Sequence, residues 1–254
     1  MFARLSAHFI LFFVCLCQAT YAFDTFKQES DIVVDLQEKI ESLGESKNFA
    51  FVNLLSDDDL QQFNQFKIES SNAYNRFGNL KLLQEELPDF LRSLGDNDEQ
   101  LIQKITKIIF ELASYVSQAS HKETAWVCVR ASTPNRAFDM PRWHWDGYYY
   151  SPYSGFVFKF ATVLKGNPTL FYQLPKDLRE IFEQHSDDRA FLSQLLDSEN
   201  IETAKPGQGA FFIVGDNDRA AAHSEPKMDG ERLFFSILPG NEDEINELNA
   251  RWNP

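Results

Sequence analysis

Cysteine is nearly absent. The 254 residues hold three, Cys15, Cys17 and Cys128. The first two fall in a leader-like segment, so the chain that follows it keeps one thiol and can form no internal disulfide. Positive charge is also scarce: 24 Lys and Arg stand against 38 Asp and Glu, a formal net charge of −14. Nucleic acid is therefore not expected as a partner, because a phosphate backbone demands a cationic face, and neither is docking on anionic lipid. The acidity reads first as a means of keeping the chain soluble. Internal repeats, low-complexity tracts and a nucleophile constellation are all missing.

Long apolar runs are missing too, except at the start. Arg4 precedes an apolar stretch from Phe9 to Cys17, and Gln18-Ala19-Thr20-Tyr21-Ala22 then puts small residues at both recognition positions before a cut after Ala22. That is the layout of a secretory signal peptide over residues 1–22, too short for a comfortable membrane span. An uncleaved anchor is the alternative; the residues before Cys17 do not make a convincing lipobox. Export without disulfides suits a bacterial protein better than a eukaryotic secreted one, so the expected location is periplasmic or secreted, with no membrane span once the leader is removed.

What the chain has in quantity is phenylalanine, 24 copies in a sequence that is 43% hydrophobic. An aromatic-rich core with many β-type runs fits that count. Residues 23–122 read as a helical region. Ile32, Val33, Leu36, Ile40 and Leu43 recur at helical spacing and stop at Gly44. Ser56 with Asp57, Asp58 and Asp59 forms an N-cap and an acidic first turn. Leu80 to Leu87 begin a helix that Pro88 is expected to break or kink and Gly95 to close. Asn97-Asp98-Glu99 open the longest candidate, through Val116.

From about residue 123 the runs are β-branched and aromatic, separated by Pro, Gly, Asn and Asp. Strands are expected near Trp126–Ala131, Gly155–Leu164, Thr169–Gln173, Ala210–Val214 and Arg232–Leu238, with a helical insert over about 175–198, broken near Ser186-Asp187-Asp188. The fold class is α+β: a sandwich or barrel of jelly-roll type over residues 123–254, preceded by the helical region.

The chemistry concentrates in Arg142-Trp143-His144-Trp145-Asp146. In an extended segment residues i and i+2 point to the same side, so His144 and Asp146 converge on one point while Trp145 faces away. His223 follows the strand Ala210–Val214 and a turn at Gly215-Asp216-Asn217-Asp218. With it the set becomes two histidines and one carboxylate, a facial triad that suits ferrous iron and leaves three adjacent positions open. Arg232 opens the strand nine residues after His223. Alternation puts Arg232, Phe234 and Ser236 on one face and Leu233, Phe235 and Ile237 on the other. A guanidinium holds a carboxylate through two parallel hydrogen bonds, and a buried one needs an anionic partner.

This order of His-x-Asp, a long gap, His, then Arg resembles the Fe(II)/2-oxoglutarate-dependent dioxygenases, the phytanoyl-CoA hydroxylase-type branch among them, over roughly residues 125–239. The resemblance implies a double-stranded β-helix, with His144, Asp146 and His223 as iron ligands and Arg232 on the distal carboxylate of 2-oxoglutarate. It implies Fe(II), 2-oxoglutarate and O2 as the reacting set, and oxidation of an unidentified small-molecule or peptide substrate with release of succinate and CO2. Asp146 excludes halogenation. Many members carry a hydroxyl two residues after the Arg. Here that position is Phe234, and Ser236, four after the Arg, is the hydroxyl left to help it.

Arg130, Tyr149 and Lys159 are candidate substrate groups. Lys159 points into the barrel if its neighbouring phenylalanines pack outward, and is solvated if they do not; the tyrosines at 148–150 serve either packing or recognition. The alternative to an oxygenase is an exported metal-binding jelly roll of cupin type, hydrolytic or non-catalytic. Cupins usually carry His-x-His and a nearby Glu, which this sequence lacks, and Arg232 has no evident task in a hydrolase.

Overall fold

The computed structural model describes residues 30–135, 139–147, 149–150, 157–215 and 218–252. The leader expected at 1–22, Tyr148, the first residues of the strand expected from Gly155, and Asp216-Asn217 lie outside the described residues.

The chain opens with helix α1, residues 30–41, and a turn at Gly44, which sits at φ +85° in a region side chains disfavour. Then follow β1 (Phe49–Asn53), α2 (Asp57–Gln65), β2 (Asn72–Asn79), α3 (Leu83–Arg92) and α4 (Glu99–Ala119). The second half contributes β3 (Thr124–Ser132), β4 (Arg142–His144), β5 (Phe158–Lys165), β6 (Leu170–Tyr172), α5 (Arg179–Gln184), α6 (Arg189–Leu195), β7 (Ile201–Thr203), β8 (Gln208–Ile213), β9 (Ala222–Glu225), β10 (Arg232–Gly240) and α7 (Glu242–Trp252).

Two antiparallel sheets face each other. The larger runs β1-β8-β5-β10-β3-β2 and the smaller β4-β9-β6-β7, the jelly-roll barrel expected, with helices ahead of it. Its longest strands are buried on both faces. Leu233, Phe235 and Ile237 of β10 pack with Phe160 and Phe211 into a core shared with Leu36, Phe63, Leu83 and Ile105 of the N-terminal helices. The opposite face of the same sheet looks into the barrel, where Trp126, Phe171, Phe212 and Ala210 form a second cluster. Trp143, Tyr172, Phe182 and Leu192 form a third behind the small sheet, under α5 and α6. The insert breaks between α5 and α6, around the expected acidic segment.

The N-terminal region is not helical throughout. It lends β1 to the barrel beside β8 and β2 beside β3. β1 reads Phe-Ala-Phe-Val-Asn and buries Phe49 on the barrel side and Val52 on the helix side. β2 is rich in Asn and Gly, residues of low strand propensity, and forms the sheet edge. It is held by tertiary contacts: the Tyr74 hydroxyl donates to Glu86 at 2.8 Å and the Trp126 indole N–H donates to Asn75 at 3.0 Å. Helix α3 runs through Pro88 rather than breaking there, because Leu87, Pro88 and Leu91 are all buried. Helix α7, to which the sequence reading assigned nothing, packs Ile245 and Leu248 into the barrel cluster.

Candidate metal centre

His144 ends β4 and His223 lies in β9, and the antiparallel pairing of those strands makes the two histidines direct partners. Directly opposed residues carry their side chains from the same face of the sheet, and the imidazole centroids stand 4.3 Å apart. Asp146, two residues beyond His144, comes to the same point: one ligand atom from each of the three residues lies within 4.8 Å of the others. The backbone N–H of Gly215 donates to the Asp146 carbonyl at 3.0 Å, tying the segment after β4 to the end of β8.

The hydrogen bonds behind the rings settle their orientation. His144 Nδ1 lies 2.9 Å from the Arg142 carbonyl and His223 Nδ1 lies 3.0 Å from the Ala221 carbonyl. A carbonyl only accepts, so each Nδ1 carries the proton and each Nε2 offers its lone pair to the site, the arrangement that metal-binding histidines use. Burial holds both rings neutral. It lowers the His144 pKa, and together with the adjacent His144 it pushes His223 down to about 4.

Asp146 is tied on its other oxygen. Burial favours its neutral form, but Lys159, and after it His223 and His144, outweigh that and hold the carboxyl well below the usual range. The Lys159 ammonium donates to Oδ2 at 3.0 Å, while Oδ1 faces His223 Nε2 at 3.9 Å. Phe158 and Phe160 pack outward under the helices, so Lys159 points inward. There it lies over the rings of Trp126 and Tyr149, 5.1 and 5.3 Å from their centroids, and within 3.4 Å of the Tyr149 hydroxyl. Burial opposes its charge, but Asp146 and Tyr149 keep its pKa above the ordinary value.

A cavity of roughly 330 Å³ contains this centre and continues to Arg232, Arg130, Arg142, Glu225, Thr169, Phe212 and Phe234. Arg142 and Glu225 are the next pair on the same face of β4 and β9, two positions and hence about 6–7 Å from the histidine pair. Arg232 is 3% exposed. Its Nε donates to the Asn167 carbonyl at 3.1 Å, one terminal nitrogen donates to the Thr169 hydroxyl at 2.9 Å, and its plane lies 5.0 Å over the Phe234 ring. Burial pushes its pKa down to about 10 against the pull of Glu225. Glu225 itself pairs with Arg130 at 2.7 Å and Arg142 at 3.3 Å.

The hydroxyl on the guanidinium is thus Thr169, not Ser236. Ser236 shares the inward alternation but is 1% exposed, further along β10 between Cys128 and Ala161. Thr169 left no signal in the sequence, since it precedes a three-residue strand. Arg142 and Glu225 did leave one: each lies two residues from a candidate ligand, on the same side by alternation. Tyr149 is buried beside Lys159 and Trp252, with its carbonyl accepting from Arg251. Among the described residues no helix is long and apolar enough to cross a membrane.

No protein-family model matches the chain, and no curated protein matches its sequence. Solved structures do superpose loosely. A prolyl-4-hydroxylase from Pseudomonas putida is 9% identical at a TM-score of 0.41, over 80% of this chain and 98% of that one. HygX from Streptomyces hygroscopicus, solved with nickel and 2-oxoglutarate bound, is 11% identical at 0.44, over 81% and 87%. A prolyl hydroxylase from Trichoplax adhaerens, in complex with a hypoxia inducible factor oxygen degradation domain peptide fragment, is 10% identical at 0.42, over 87% and 95%. Similarity this low leaves the function to the geometry of the site.

Proposed function

We propose that the chain is a non-haem iron, 2-oxoglutarate-dependent oxygenase. The observation that carries this reading is the joint placement of the triad and Arg232 in one cavity. A buried guanidinium whose hydrogen bonds go to a carbonyl and a hydroxyl is a strong demand for an anion, and here it lines the same cavity as three converging metal ligands.

Two imidazole nitrogens and one carboxylate oxygen suit Fe(II) and leave adjacent positions for a chelating co-substrate. 2-Oxoglutarate carries a keto acid for the metal and a second carboxylate for Arg232. Bound there, the pair supplies oxidative decarboxylation by O2, giving succinate and CO2 and an oxidised substrate. The chain's own residues do the positioning. Arg142 and Ala221 carbonyls fix the histidine tautomers, and Lys159 occupies Asp146 Oδ2, so that the carboxylate presents one oxygen. Asn167 and Thr169 aim the guanidinium, while Phe212, Phe234 and Trp126 wall off bulk water. The signal-peptide-like layout of residues 1–22 supports the reading of an exported enzyme, working where a compartment or a recipient cell supplies iron and 2-oxoglutarate.

The test is calorimetric titration of 2-oxoglutarate into the Ni(II)-loaded protein and its Arg232→Gln variant. Loss of one charge-assisted pairing weakens 2-oxoglutarate by about tenfold or more, with nickel still bound. Equal affinity for the two proteins overturns the role of Arg232.

A further inference from the structure

One end of the barrel has a charge balance unlike the rest of the molecule. At the ends of β3 and β9 and the starts of β4 and β10, Arg130, Arg142 and Arg232 surround a single carboxylate, Glu225. In a chain of net charge −14 this is a concentrated positive site. The three arginines are not alike. Arg232 is buried, with its guanidinium held by Asn167 and Thr169. Arg130 and Arg142 have side chains 46% and 42% exposed and share Glu225 between them. They also line a second cleft, of roughly 240 Å³, with Ser71, Ser132 and Thr133. The cleft and the metal cavity are neighbours, because both arginines, Glu225 and Arg232 line both.

We infer that this cleft is the substrate subsite and that it takes an oxyanion, a carboxylate or a phosphate, carried by the molecule to be oxidised. The inference rests on the co-substrate reading of Arg232. The distal carboxylate of 2-oxoglutarate satisfies Arg232, and Glu225 offsets one more guanidinium; one positive charge is left over, on the arginines that open to solvent. A neutral substrate leaves that charge to water. An anionic one is drawn to it and fixed by forked guanidinium donors, with the hydroxyls of Ser132 and Thr133 as further lining. The net negative charge of the chain makes this cluster of guanidiniums the more selective for anions.

Glu225 has its own part: it keeps two guanidiniums a few ångströms apart without collapse and without pairing to Arg232. For that reason the arginines are tested singly, since removing both frees Glu225 to compete for Arg232. The protein is loaded with Ni(II) and saturated with 2-oxoglutarate, and inorganic phosphate is titrated by calorimetry into wild type, Arg130→Gln and Arg142→Gln. Each substitution is expected to weaken phosphate about tenfold while 2-oxoglutarate affinity stays within about threefold. Thermal melts of each variant confirm folding, and Arg142→Lys, which keeps the charge but not the fork, is expected to fall between. Phosphate binding that ignores both substitutions, or that 2-oxoglutarate abolishes by competition, overturns the subsite. Failure of 2-oxoglutarate to bind wild type overturns the co-substrate reading instead. In turnover with Fe(II), carboxylic acids and phosphate monoesters are expected to stimulate succinate release over their neutral amides and alcohols; equal stimulation by the neutral set contradicts the inference.

Discussion

Replacing Lys159 by Met keeps the apolar stem against Trp126 and Tyr149 but removes the ammonium from Asp146. The two side chains are 12% and 14% exposed and meet at 3.0 Å, so the carboxylate is left buried with its strongest partner gone. Breaking a buried ion pair from one side costs about 3–5 kcal/mol. In a domain of this size each kcal/mol moves the melting temperature by about 2–4 °C, so the metal-free variant is expected to melt roughly 6–20 °C below wild type. A divalent cation held by His144, Asp146 and His223 would supply the missing positive charge. Metal should therefore raise the melting temperature of Lys159→Met by more than it raises that of wild type. The assay is differential scanning calorimetry in chelator and in Ni(II). An unchanged melting temperature in chelator, or an equal gain from metal, would refute the view that Lys159 neutralises and orients Asp146.

Acid should loosen the metal-free protein through His223. Its folded pKa, about 4, lies below the ordinary 6.5, so the unfolded chain takes up the proton first. The stabilisation is fully present above pH 6.5 and is lost as pH falls toward 4, by about 2–3 kcal/mol, read from urea midpoints at pH 7 and 4.5; His223→Gln should flatten that slope. Thr169→Val strips a buried guanidinium of its hydroxyl acceptor, costing about 1–3 kcal/mol and weakening 2-oxoglutarate, whereas Ser236→Ala leaves 2-oxoglutarate affinity unchanged in the same titration. Gly166 sits at φ +94° and a Cβ there would lie 2.2 Å from the Glu231 carbonyl. Gly166→Ala should therefore destabilise by more than about 1–2 kcal/mol and loosen the Asn167 carbonyl on Arg232, seen as a lower melting temperature together with weaker 2-oxoglutarate binding.

The candidate metal ligands were legible because their spacing is local. The i, i+2 spacing brings Asp146 to the side of His144 although β4 ends at His144, and β10 keeps Arg232 and Phe234 inward as its pattern requires. His223 was legible by residue type, but its pairing opposite His144 was not, because β4 and β9 are far apart in sequence and each is too short to announce its register. The direction of Lys159 hung on which way Phe158 and Phe160 packed, a question the helices answer. β2 escaped notice because its Asn-rich sequence opposes strand formation and only its contacts with α3 and β3 overrule that. Helix α7 carried a legible signal, Glu242, Asp243 and Glu244 in its first turn and Arg251 in its last, each charge favourable to the helix dipole. The Thr169 and Asn167 contacts had none.

The most direct measurement is succinate release by the purified full-length protein supplied with Fe(II), 2-oxoglutarate and O2, compared with the same protein supplied with Zn(II). Iron-dependent succinate, lost on His223→Ala and restored at high 2-oxoglutarate in Arg232→Gln, is the predicted result. Tight zinc uptake with no succinate from the iron-loaded protein would contradict the account.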